Sequence, residues 1–62
     1  MKNFTRINNQ IRAAELRVVD EEGNNLGVLP FSKAIEIAHE RELDLIEVSP
    51  NAQPPVARIM SY

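Results

Sequence analysis

The sequence predicts an α+β domain in which one helix packs on a mixed four-stranded sheet, with elements in the order β-β-α-β-β. Three observations lead there. Short β-branched or alternating runs flank a single segment of helical spacing. Clusters of Gly, Asn and Pro separate them. One helix cannot bury both faces of a sheet, so two layers result. The 62 residues allow one domain, and a chain this short buries only about 60% of the surface its unfolded form exposes.

Residues 1–10 are polar, rich in asparagine and without sustained periodicity, which predicts a mobile N-terminal arm, with the domain proper spanning 11–62. In "AELRVVD" (14–20), Leu16 and Val18 fall on one face of a strand and Arg17 and Val19 on the other. "EEGNN" is a turn, and "LGV" (26–28) the return strand, where Gly27 marks a bulge or a close backbone approach. Pro30 ends this hairpin and Ser32 is placed to cap a helix. Phe31, Ala34, Ile35 and Ala38 form its apolar stripe, leaving Lys33, Glu36, His39, Glu40 and Arg41 toward water, and the helix fades around Arg41 to Leu43. "LDLIEVS" (43–49) is nearly continuous in apolar residues and reads as an interior strand, with Leu45 on one face and Ile46 and Val48 on the other. The proline-rich "PNAQPP" forms a stiff connection. "VARIM" (56–60) is the last strand, with Val56, Arg58 and Met60 on one face and Ala57 and Ile59 on the other.

Composition narrows the function. The net charge is −2, unevenly spread: residues 1–19 carry a balance of +3 and residues 20–47 one of −6. A basic segment on an acidic body can touch phosphates locally while the body repels them. The start has no apolar h-region and no run could span a membrane, so a cytoplasmic protein is expected. No cysteine is present, and His39 is the only histidine, on the outer helix face, so neither a nucleophile–base pair nor a zinc site can be assembled. Asp20, Glu21 and Glu22 lack the alternating spacing of a calcium loop and read as part of a turn. Both glycines belong to the hairpin, leaving none for a phosphate loop. No reaction, metal or cofactor is expected. The better candidates are arginines, whose planar fork pairs with phosphate, and asparagines, which reach sugars and base edges. "RINNQIR" sets Arg6 and Arg12 around three amide side chains including Asn8, and Arg58 interrupts an apolar strand, where a salt bridge to a nearby carboxylate is the alternative.

"INNQIRAAELRVVDEEGNNLGV" and "LDLIEVSPNAQPPVARIMSY" together closely resemble the N-terminal domain of bacterial translation initiation factor three. The resemblance spans residues 6–62, and its most specific segment is "DLIEVSPNAQPPVARIM". It implies a β-grasp fold and a non-enzymatic factor. Such a factor binds the small ribosomal subunit near the P site, prevents premature subunit joining, and helps monitor the start codon and initiator tRNA. It further implies that a lysine-rich linker and a second domain follow Tyr62, so the chain is expected to be a fragment, and a monomer. Carried over residue by residue, Arg6, Asn8 and Arg12 match the family's arm and its root, and Arg58 and Tyr62 the strand leading to the linker. With Arg17 these are the candidate RNA- and ribosome-binding residues, Tyr62 stacking or packing at the linker junction. Ala57 stands where the family usually has cysteine, and Ser61 where it usually has aspartate, which removes a charge partner near Arg58. The alternative function is a protein–protein interaction module of the β-grasp class using the acidic helix face (Glu36, Glu40) and an exposed sheet edge.

Overall fold

The computed structural model describes residues 6–62. Strands β1 (Glu15–Val19) and β2 (Asn25–Pro30) form the hairpin, helix α1 (Phe31–Glu40) follows, and β3 (Asp44–Ser49) and β4 (Val56–Met60) complete the sheet. The sheet order is β2-β1-β4-β3. β1 and β4 run parallel at its centre, and each has an antiparallel neighbour outside it. A parallel pair requires a long crossover, and α1 lies within the connection that supplies it. The expected mixed four-stranded α+β arrangement is therefore the one observed.

The hairpin turn is built on Asp20. Its Oδ1 accepts the backbone N–H groups of Glu22 at 2.9 Å and Asn24 at 2.8 Å, and its Oδ2 accepts Asn24 Nδ2 at 3.2 Å. Gly23 supplies the left-handed residue, with φ of 88°. Gly27 also has φ of 88°, and the β1–β2 register shifts between Val18 and Val19. A Cβ added at Gly27 would meet nothing within 4 Å, so this glycine serves a bulge and not a close approach.

Helix α1 starts two residues earlier than the capping reading placed it. Pro30 is the N-cap, Ser32 sits inside the first turn, and no side chain caps the helix. Instead Phe31 donates its backbone N–H to Ala14 O at 2.8 Å, so the residue just before β1 satisfies one of the free donors of the first turn. At the other end Leu43 N–H reaches Ala38 O at 2.9 Å and Glu42 N–H reaches His39 O at 3.0 Å. That is the paired closure usually made by glycine in the left-handed position; here Glu42 takes it, with φ of 58°. Arg41 does not simply face water. Its guanidinium bridges Asp20 at 3.3 Å and Glu21 at 2.9 Å, fastening the end of α1 to the hairpin turn.

The core lies between α1 and one sheet face: Leu16, Val18, Leu45, Ala57 and Ile59 from the strands meet Ala34 and Ala38 from the helix, all fully buried. The interior position expected for "LDLIEVS" is not observed: β3 is an edge strand, paired in the sheet only with β4. Its run is buried at Leu45, Ile46 and Glu47, while Val48 is 44% exposed.

Residues 1–5 of the proposed arm lie outside the described residues. Residues 6–10 lie along β3. Ile7 forms an antiparallel bridge with Ile46, Arg6 O accepts Glu47 N–H at 2.9 Å, and Asn8–Gln10 make one 3-10 turn. Ile11 is buried in the core.

Candidate nucleic-acid interface

β-strand alternation places the residues that α1 does not cover on the opposite, open face of the sheet. These include Glu15, Arg17 and Val19 from β1, Val28 from β2, Asp44 and Ile46 from β3, and Val56, Arg58 and Met60 from β4, so two carboxylates share the face with the two arginines. The register fixes their arrangement: Arg17 faces Val56 and Val28, and Arg58 faces Val19 and Ile46. Arg17 and Arg58 are therefore diagonal neighbours on adjacent parallel strands.

Arg17 is exposed and Arg58 half-buried. The ion pairs among the described residues involve Arg6, Lys33 and Arg41, not Arg17 or Arg58. Among the described residues the salt bridge considered for Arg58 is thus not formed, and its Nε is buried without a hydrogen-bond partner. A buried donor left unpaired is costly. Here it lies on strand β4 between Val56 and Met60, so the fold holds a guanidinium against apolar surface with donor capacity to spare. Two like charges on one face repel each other, and an anion arriving between them relieves that repulsion.

The remaining sequence candidates divide between other surroundings. Asn8 donates its Nδ2 to Asp44 Oδ1 at 3.0 Å and accepts Leu45 N–H on its Oδ1 at 2.9 Å, so both ends of its amide are engaged within the domain. Its φ of 50° is one that asparagine tolerates. Arg6 lies 3.6 Å from the buried Glu47 carboxylate with its own side chain half exposed. Arg12 is exposed just after this segment. Tyr62 is 76% exposed beyond β4, and its backbone N–H donates to Asp44 Oδ2 at 3.2 Å. The structure brings Arg17 and Arg58 together; Arg6, Asn8 and Arg12 belong to the segment along the β3 edge.

Asp44 went unnoticed in the sequence because "LDL" reads simply as the start of a strand. Its carboxyl is held below the ordinary value, first by the Asn8 amide and then by the Tyr62 N–H, against the opposing effect of burial, with the nearby His39 adding slightly. Asp20 also titrates low: burial alone would raise it, but the donors from Asn24, Glu22 and Arg41 together outweigh that.

Residues 7–62 match the family model described as "Translation initiation factor IF-3, N-terminal domain". The chain belongs to this family. It is 58% identical over 55 residues to translation initiation factor IF-3 of Thermotoga maritima, covering 89% of this chain and 32% of that protein. Against the IF-3 of Pasteurella multocida the figures are 51% over 57 residues, 92% and 32%. Against that of Methylacidiphilum infernorum they are 54% over 61 residues, 98% and 28%. The chain thus spans about a third of the length of these curated relatives. The family match includes β4 with Arg58 and β1 with Arg17, and it excludes Arg6.

Proposed function

We propose that this domain acts in translation initiation as a non-catalytic, RNA-contacting module. It binds the small ribosomal subunit near the P site, where it helps hold back subunit joining and monitor initiator tRNA and the start codon. The observation that carries this reading is the pair Arg17 and Arg58, unpaired with any carboxylate on an open, partly apolar sheet face of a protein whose net charge is negative. Guanidiniums bind phosphate through charge-assisted forks, and the valines and Met60 around them supply a flat apolar surface for sugars and exposed bases. Arg12 and Tyr62 extend the contact at either side. Arg6 and Asn8 contribute by ordering the segment along β3, with Arg6 free to exchange its half-exposed pairing with Glu47 for a phosphate.

The alternative, a protein-binding module using a sheet edge, has less to work with. The β2 edge is broken by the bulge at Gly27, whose N–H is taken by Asn25 Oδ1 at 2.9 Å, and by Pro30, which has no N–H. The β3 edge is covered at Ile46 and Glu47 by residues 6 and 7.

Two arginines make a weak contact by themselves. In a relative about three times this length, tethering would raise the effective concentration of that contact into the millimolar range. The test is a salt series of binding to initiator tRNA and to small subunits, comparing the wild type with Arg17→Ala/Arg58→Ala. The proposal expects affinity to fall at least tenfold and the dependence of log K on log salt to lose about two phosphate equivalents. An unchanged affinity and salt slope in the double variant would remove the open face from the account.

A further inference from the structure

The carboxylate of Asp44, at the first position of β3, serves two distant parts of the chain at once. One oxygen accepts the Asn8 side-chain amide at 3.0 Å and the other accepts the Tyr62 backbone N–H at 3.2 Å. Asn8 closes the arrangement by accepting the Leu45 N–H at 2.9 Å. Residues 8 and 62 therefore share one side chain, and no hydrogen bond joins them directly. The surrounding register fixes Asp44 opposite Met60, so the carboxylate stands beside the point where the chain leaves β4.

We infer that Asp44 couples the docking of the N-terminal segment to the path of the chain at Tyr62. Both bonds depend on one side-chain rotamer. While Asn8 is docked, the rotamer is fixed and the second oxygen is aimed at the Tyr62 N–H. When Asn8 leaves, the carboxylate regains its freedom and becomes hydrated, and the Tyr62 bond loses its fixed acceptor. The effect is reciprocal, as any coupling between two binding equilibria must be. Charge strengthens both bonds, because an ionised acceptor holds its donors more tightly than a neutral one. The consequence reaches beyond the domain. The docked segment lies beside Arg6 and Arg12, and in the longer relatives the chain continues past the position of Tyr62. A ligand that draws the segment away from β3 would thereby loosen the direction in which the following chain departs. The coupling rests on these hydrogen bonds and holds whatever the arginines bind.

The test uses NMR on the 62-residue chain with three variants. Asn8→Ala removes the amide donor, Tyr62→Pro removes the backbone N–H at the exit together with the exposed phenol side chain, and Asn9→Ala, at an exposed position in the same turn, is the control. In Asn8→Ala the Tyr62 amide is expected to shift upfield and to exchange with solvent several-fold faster, although residue 8 does not touch it. In Tyr62→Pro the Leu45 amide, protected by Asn8, is expected to exchange several-fold faster. Asn9→Ala moves neither. Unchanged core amides at Leu16 and Ile59 show that each variant is folded. If Tyr62 is unmoved in Asn8→Ala, or Leu45 is unmoved in Tyr62→Pro, the two bonds are independent and the coupling is overturned. Should Asn8→Ala fail to fold, the terminal Tyr62→Pro variant alone decides the matter through Leu45.

Discussion

The two faces of this one sheet are made by the same strands, residue by alternate residue, yet they are put to different uses. On the helix side Leu16, Val18, Leu45, Ala57 and Ile59 are all fully buried. On the other side Arg17, Val19, Val28, Val56, Arg58 and Met60 range from exposed to half-buried, with Val28 44% exposed. Ile46 on that side, bridged to Ile7, is buried. In a domain of this size one face is all the core there can be. Stability is concentrated there, and the second face can carry charges and unsatisfied donors that a core could not accept. Arg17 stands exposed at no cost to the core, whereas Arg58 carries a buried, unpaired Nε whose cost the covered face has to offset.

The sharpest way to break this comparison is to truncate one residue on each side. Leu45→Ala should cost about 2–5 kcal/mol, through lost burial and the cavity left behind. That is a large share of the roughly 5 kcal/mol that so small a domain holds, and partial unfolding at room temperature is expected. Val28→Ala should change stability by about 0.5 kcal/mol or less. Urea denaturation followed by circular dichroism measures both; equal losses would mean that the open face is as structural as the covered one.

A second prediction concerns acid. Asp20 and Asp44 both lie below their ordinary value of 3.8 in the folded chain. A depressed folded value means that the ionised carboxylate favours the fold: its contribution is fully present above the unfolded value and is lost as pH falls through the folded one. Unfolding midpoints should therefore stay level from neutral pH to about 5 and drop below about 4. Asp20→Asn should lower stability at pH 7 and flatten the acid drop, since an amide cannot accept the same set of donors. A drop as steep as the wild type's would exclude Asp20 from that role.

A small gain is expected at the end of α1. Glu42 holds a left-handed conformation with φ of 58°, which ordinarily favours glycine. Glu42→Gly should raise stability by about 0.5–1 kcal/mol, with no effect on binding at the open face. A loss of stability on thermal denaturation would show that the glutamate side chain contributes more than its backbone strain costs.

Much of this was readable in the sequence, for identifiable reasons. "VARIM" alternates cleanly, and its bounds and its two faces match β4 residue for residue. The period-two pattern of "LRVV" likewise separated Leu16 and Val18 from Arg17 and Val19, although it did not reveal that Arg17 and Arg58 lie side by side on one face. What the sequence concealed depends on partners far along the chain. Asn8 finds Asp44 and the Leu45 N–H only once β3 is in place, so a segment without periodicity read as a free arm. Arg41 follows a helix whose outer face is charged, and nothing local reveals that the hairpin turn stands beside it. The helix end carries no glycine, so its closure by Glu42 had no sequence mark. Ser32 looked like a cap because its chemistry is right, but the helix already begins at Phe31, which puts Ser32 inside the first turn.

The central claim is that the open sheet face, not the helix, meets RNA. The most direct test is to follow amide shifts of the labelled domain while initiator tRNA, and then small subunits, are added at low and raised salt. The account predicts perturbations centred on Arg17, Val19, Arg58 and Met60 that fade as salt rises. Changes confined to Glu36–Glu40 and indifferent to salt would contradict it and assign the function to a protein partner on the helix.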